Sequence, residues 1–348
     1  MADTKTLEGK CLCGSVHFTL QIPTSVLPLK TYMCHCSTCR YATGGPCIFH
    51  AALPETLRPV FIAPSSEKNM KSFRMENCGY TLNFCSTCGC HITAIGLDDG
   101  SWTVSTSVLN MSNADVVNYS SHVFSKSAKD GGVSDVITRI SGKDVPSWNP
   151  PDDDPSSKPT ENEPGVGPDG QERLRAKCRC GGVSFTIARP QAEDSENPFV
   201  KQHVVSATNP LKWMASLDVC DDCRLTTGTT VVAWTFVCIN RIEPKMPLDF
   251  QFGTMKTYKS SEDVLRSFCG DCGATIFYYD VVDPRKTNVV DIAVGILRAP
   301  EGPMADNWLT WRNKVAHADN GRQYDEAFTN AVVTGMTKWT EDRYGVAV

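Results

Sequence analysis

The chain has 348 residues, enough for two domains with separate hydrophobic cores. A net charge of −5, a pI near 5.8 and no run of lysine and arginine argue against a general nucleic-acid binder. The longest apolar stretch, around Val231 to Ile239, is too short to cross a bilayer, and Met1 to Lys10 lacks a signal-like apolar core. The expectation is a cytoplasmic protein with neither a membrane nor a nucleic acid as partner.

Seventeen cysteines need an explanation in a reducing compartment, where disulfides are rare and clustered thiols point to metal or catalysis. Most of them fall in short-range groups. Cys11 and Cys13 open the first pair, followed by Gly14, Ser15 and Val16. Val16, Phe18, Leu20 and Ile22 then alternate with His17, Thr19 and Gln21, the period of a half-buried strand. Next comes Cys34-His35-Cys36-Ser37-Thr38-Cys39-Arg40, and later Phe84-Cys85-Ser86-Thr87-Cys88-Gly89. Cys47, Cys78, Cys90 and Cys238 stand outside these groups and read as buried thiols. His122 reads as a strand histidine. Arg40 and its later equivalent Arg224 are candidates for a substrate carboxylate or a structural ion pair.

From Pro146 the chain turns rich in proline, glycine, serine and acid, with little to bury, which predicts a solvated linker over 146–172. Beyond it the pattern is written again. Cys178-Arg179-Cys180-Gly181-Gly182-Val183 answers the first pair, Cys220-Asp221-Asp222-Cys223-Arg224 the middle group, and Phe268-Cys269-Gly270-Asp271-Cys272-Gly273 the last. Cys39 to Cys85 and Cys223 to Cys269 span the same 46 positions, whereas Cys178 to Cys223 is 17 residues longer than Cys11 to Cys39. A repeat at this spacing means one module written twice, over 5–145 and 173–348, with a longer loop within Ala188 to Trp213 and a C-terminal extension. Thr229 to Val237, Ala274 to Val281 and Asn288 to Leu297 have strand composition. Short helices are expected after Ser261 and over Tyr324 to Val333.

Thiolate zinc is tetrahedral, and a structural site closes its shell with four protein ligands. A C-x-C and a distant C-x-x-C give Cys11, Cys13, Cys85 and Cys88 as one closed set, and Cys178, Cys180, Cys269 and Cys272 as the other. Cys34, Cys36 and Cys39 supply three thiolates within six residues, leaving a fourth position open to water or a substrate thiol, or closed by another cysteine. His35 should point away, since neighbours on an extended chain face opposite sides. In the second copy Asp218 stands where the first has Cys34, so Asp218, Cys220 and Cys223 form a harder fourth site, filled or empty.

These three motifs, in this order and twice over, resemble the glutathione-dependent formaldehyde-activating enzyme family, also called the CENP-V/GFA domain. The resemblance implies a mainly β fold of two tandem β-tent-like zinc domains joined by the Pro/acid-rich linker. It implies structural zinc on each C-x-C/C-x-x-C set and a reactive zinc on Cys34, Cys36 and Cys39. It further implies carbon–sulfur lyase chemistry on a thiol adduct, glutathione-like, of a small carbonyl compound. Asp218 departs from the pattern, which suggests a supporting role for the second copy. Family members are often single-domain, so tandem duplication is expected to replace a homodimer. The rival readings are a non-catalytic zinc scaffold and a zinc-ribbon-like exchange factor, and the lack of a basic tail favours the enzyme.

Overall fold

The computed structural model describes residues 3–75, 78–151, 165–167, 169–247 and 249–345. Strands dominate, and the alternation expected of the first strand is the burial observed: Phe18, Leu20 and Ile22 are fully buried on His17–Pro23, while Gln21 is exposed. That strand pairs antiparallel with Thr4–Lys10 along its length and forms one small sheet of the first copy.

The main sheet of each copy has the same order in space. In the first copy it runs Val117–Val123, Leu29–Cys34, Ile48–Ala52, Trp102–Ser105, His91–Gly96, Tyr80–Cys85, Met70–Met75. In the second it runs Leu309–Trp311, Trp213–Asp218, Val232–Cys238, Val289–Ala293, Thr275–Asp280, Val264–Cys269, Met255–Lys259. Among these strands the first pair in each sheet is parallel and the others antiparallel, and Ser147–Trp148 adds a further parallel pair at the first copy's edge. In both copies the cysteine pairs sit at strand ends and in the turns that follow, where the fold gathers them.

Some local expectations meet a different outcome. Ser261 to Asp263 form the turn of a hairpin, because the Val264–Cys269 strand bonds antiparallel to Met255–Lys259 and leaves no room for a helix. The helix expected over Tyr324 to Val333 is longer, Glu326–Tyr344, capped by Asp325, whose carboxylate accepts the Phe328 N–H at 2.9 Å. The longer second-copy loop carries the helix Pro198–His203, capped by Asn197. Of the expected linker, residues 152–164 and 168 lie outside the described residues. Its first part is built into the first copy, where Ser147–Trp148 extends the main sheet beside Val117–Val123.

The halves pack as a pair related by an approximate twofold exchange. The Leu12 N–H donates to the Leu225 carbonyl at 2.9 Å, and at the equivalent place the Arg179 N–H donates to the Tyr41 carbonyl at 2.8 Å. Each C-x-C knuckle therefore leans on the short helix of the other copy, Ser37–Thr43 or Asp221–Thr227. Gly44 and Gly228 end those helices at φ near 80° and 76°, the left-handed region that favours glycine. A Cβ on Gly44 would stand 2.3 Å from the Thr275 carbonyl oxygen, and one on Gly228 2.2 Å from that of His91. Gly44→Ala should therefore destabilise the protein by about 2–5 kcal/mol, combining left-handed strain with overpacking against backbone. A urea denaturation midpoint indistinguishable from wild type would show that the halves do not press together there.

The C-terminal helix reinforces the pairing. Asp325 accepts hydrogen bonds from Ser112 and Tyr119 of the first copy, at 2.5 and 3.2 Å, and Phe328 packs against Phe49 and Tyr119.

Candidate metal centre

All seventeen cysteines are free thiols, and the clustered ones touch without bonding. Cys11 and Cys13 bring their sulfurs to 3.4 Å, Cys13 and Cys85 to 3.6 Å, and Cys88 completes a group whose sulfurs all lie within 4.8 Å of one another. The second set repeats this, with Cys178–Cys180 at 3.5 Å, Cys180–Cys269 at 3.4 Å, and Cys272 completing it. Disulfides require sulfurs at about 2 Å. Four thiolates around zinc at about 2.3 Å are instead separated by roughly 3.8 Å, the edge of the tetrahedron. The spacing and the all-sulfur donor set therefore fit a closed zinc site.

Backbone N–H groups support the sulfurs. Val16 donates to Cys11 and Val183 to Cys178, and Asp271 and Cys272 both donate to Cys269. Such bonds orient ligands and favour the thiolate form. Crowding splits the acidities: hydrogen bonds led by Cys11 pull the Cys13 thiol down, while those led by Cys11 push Cys88 up. A divalent ion removes that conflict, because every sulfur can then be a thiolate.

The middle cluster is built differently. Cys34 ends its strand, Cys36 caps the following helix and accepts the Cys39 N–H at 3.3 Å, and Cys39 lies in the first turn. Their three sulfurs form one group within 4.8 Å. His35 points to the other side, as the alternation expects, where its Nε2 meets His122 Nδ1 at 2.8 Å and His122 Nε2 meets the Ile137 carbonyl at 2.7 Å. The carbonyl requires a proton on His122 Nε2, so His122 Nδ1 accepts from His35 Nε2–H and both rings are neutral. Burial lowers the pKa of each.

The cluster opens into a cavity of about 700 Å³. Its walls include Tyr32, His50, Leu82, Phe124 and Trp148, with Cys78 beside Cys36. Burial pushes His50 down to about 3, so the ring is neutral at physiological pH, with Nδ1 3.2 Å from the Thr103 hydroxyl. Neither arginine singled out from the sequence faces this space. Arg40 is buried behind the cluster with its Nε donating to the His35 carbonyl, and Arg224 is tied to Asp221 and to the Ser107 and Leu109 carbonyls of the first copy. The cation at the cavity wall is Arg179, carried across from the second copy's C-x-C knuckle. Among the described residues, no ion pair or hydrogen bond engages its guanidinium. Its position in the first C-x-C is Leu12, so only a repeat alignment weighted by charge could have singled it out.

The second copy brings together Asp218, Cys220 and His317, whose donor atoms lie within 4.8 Å of one another. Cys223 falls outside that group; its thiol faces Asp218 Oδ2 at 3.6 Å and Arg266 Nη1 at 3.5 Å. Bulkier side chains stand at the equivalent of the cavity walls. Strand register places Trp234 where the first copy has His50, Arg266 where it has Leu82, and Tyr278 where it has Ala94. Arg266 lies over the Tyr278 ring at 4.9 Å.

Nearby, burial raises the Asp291 carboxyl to about 7, with Lys286 opposing. The unfolded value is near 3.9, so ionisation inside the fold costs nothing below that pH, increasingly more up to 7, and a constant amount above. Asp291→Asn should accordingly raise the urea midpoint at pH 8 more than at pH 5.5. Equal shifts at both pH values would contradict it.

Among the described residues, no helix is long and apolar enough to cross a membrane. No curated protein and no solved structure matches the chain. Against known protein families, residues 6–127 and 202–311 match the one described as glutathione-dependent formaldehyde-activating enzyme. The first block holds all seven clustered cysteines of the first copy, and the second holds Cys220, Cys223, Cys269 and Cys272. With more than half of its length matched, the chain belongs to the glutathione-dependent formaldehyde-activating enzyme family and carries the family's domain in tandem.

Proposed function

We propose that the first copy is a zinc-dependent carbon–sulfur lyase that joins or parts a thiol and a small carbonyl compound. The observation that carries this reading is three thiols opening onto a chamber with one uncommitted arginine. Cys34, Cys36 and Cys39 would hold the ion. A zinc there supplies Lewis acidity and a position for a soft fourth ligand. In the synthetic direction the sulfur–carbon bond forms, the carbonyl π bond opens, and the thiol proton ends on the carbonyl oxygen. The reverse step restores thiol and carbonyl. The chamber's apolar walls hold both reactants close, which turns a bimolecular addition into a nearly intramolecular one. Tyr32 keeps its proton at neutral pH, because burial and the charge of Cys34 raise its pKa, and it offers a donor to the substrate oxygen.

Arg179 favours an anionic thiol, such as one with peptide carboxylates. A charge-assisted hydrogen bond contributes about 1.5–3 kcal/mol, so Arg179→Ala should raise KM for glutathione roughly tenfold to a hundredfold. The uncharged thiol 2-mercaptoethanol should be unaffected. Equal losses for both thiols would remove Arg179 from substrate binding. The second copy, with its bulkier walls, fits the non-catalytic reading, for that half alone.

Exchange NMR on glutathione and formaldehyde tests the activity. Zinc-loaded protein should speed formation and breakdown of the S-hydroxymethyl adduct above the spontaneous rate. No acceleration with any thiol–aldehyde pair would sink the proposal.

A further inference from the structure

The second copy keeps the place of the Cys34, Cys36 and Cys39 cluster and two of its thiols, as Cys220 and Cys223, but replaces the third with Asp218 and changes the side chains around it. His317 is one of these changes. In the first copy Val123 pairs with Cys34 and is followed by Phe124, a left-handed residue at φ 57° that covers the cluster from the cavity wall. In the second copy Ala316 bridges to Asp218 and is followed by His317, left-handed at φ 55°. The backbone bonds match as well: Val123 accepts from the His35 N–H, and Ala316 from the Val219 N–H. The same backbone device thus presents an imidazole where the first copy presents a phenyl ring. Non-glycine residues adopt this conformation uncommonly, and here it aims the ring at the cluster. Its Nδ1 stands 3.1 Å from Asp218 Oδ1.

We infer that Asp218, Cys220 and His317 form a separate metal site for a zinc-class divalent ion, with oxygen, sulfur and nitrogen donors. The donor set suits a borderline ion, since zinc accepts all three ligand types. Asp218 is buried and held by the Cys220 N–H at 2.7 Å, a fixed ligand, whereas the His317 side chain is 61% exposed and leaves the fourth position to solvent. Cys223 lies outside the group that includes His317, its thiol held between Asp218 Oδ2 at 3.6 Å and Arg266 Nη1 at 3.5 Å.

The site's position gives it a structural task. His317 immediately precedes the helix Ala318–Tyr324, which leads into Glu326–Tyr344. Asn320 on the first of these already accepts the Asp221 N–H at 2.6 Å. Tyr324 then donates to the Thr106 carbonyl of the first copy at 2.8 Å. An ion binding His317 to Asp218 and Cys220 fastens the root of the extension that clamps the two copies together. That task is independent of lyase activity in the first copy.

Metal stoichiometry of the full chain tests it, using apo protein titrated with Co2+ and then Zn2+. His317→Ala and Asp218→Ala should each bind one equivalent fewer than wild type. Cys223→Ser should bind the full number, and combining Cys36→Ser with His317→Ala should remove two. Amide exchange over 318–344 should quicken about tenfold or more in metal-loaded His317→Ala. The site is refuted if His317→Ala and Asp218→Ala hold as much metal as wild type, or if Cys223→Ser loses the equivalent while His317→Ala keeps it. Because His317 is largely exposed, its removal leaves the core untouched. Metal-loaded Asp218→Ala reports the same fastening from the other side of the site, and exchange over 318–344 equal to wild type in both variants would overturn it.

Discussion

A Cys85→Ser or Cys269→Ser protein is expected to lose one zinc equivalent and to stop accumulating as a folded chain. Each residue is fully buried among three other sulfurs, and the Cys269 sulfur also accepts two backbone N–H groups, so serine leaves an incomplete shell in the core. Structural zinc contributes apparent free energies of about 10–16 kcal/mol in zinc-finger peptides, comparable to the whole stability of a typical domain at roughly 5–15 kcal/mol. Losing even about 4 kcal/mol would lower Tm by roughly 8–16 °C in units of this size. Damage should also cross from one copy to the other, because each knuckle hydrogen-bonds to its neighbour's helix. Circular dichroism melts with bound-zinc assays check this. A Cys85→Ser protein that melts with wild type would mean the closed sets are ordinary buried thiols.

Cys36→Ser should behave in the opposite way, folding normally while turnover drops by at least about a hundredfold, the scale of several kcal/mol of lost Lewis-acid assistance. Cys36 is only half-buried at the cavity edge, and its backbone continues to cap the helix with a serine hydroxyl in place of sulfur. The variant should bind one zinc fewer than wild type and melt within a few degrees of it. Wild-type turnover in such a folded variant would rule out the three-thiolate centre as the reacting site.

What the sequence made legible was whatever neighbours in the chain could encode. C-x-C and C-x-x-C pairs announce themselves because both ligands sit in one turn, and the repeat of the 46-residue interval joined the pairs into sets. The alternation that turned His35 away from Cys34 and Cys36 holds just past the strand's end. Features made by long-range contact were not legible. Arg179 meets the first cluster through the knuckle exchange, and His317 meets Asp218 across 99 positions of chain. Cys78, which its sequence neighbours mark only as one more buried thiol, stands at the cavity wall beside Cys36. Trp148, in a stretch of linker composition, lines the same cavity because its strand joins the sheet edge. The hairpin turn at Ser261 resembles a helix start because serine and acid before apolar residues serve both alike.

Covalent fusion changes what the reciprocal knuckle contact means. Separate subunits sharing such a seam would obey mass action and dissociate on dilution, so both faces would have to stay identical and self-complementary. Tethering makes their encounter intramolecular, at an effective molarity independent of dose. Each half is then free to accumulate different substitutions: one seam residue can become a cation and its opposite number an aliphatic side chain, as Arg179 and Leu12 have done.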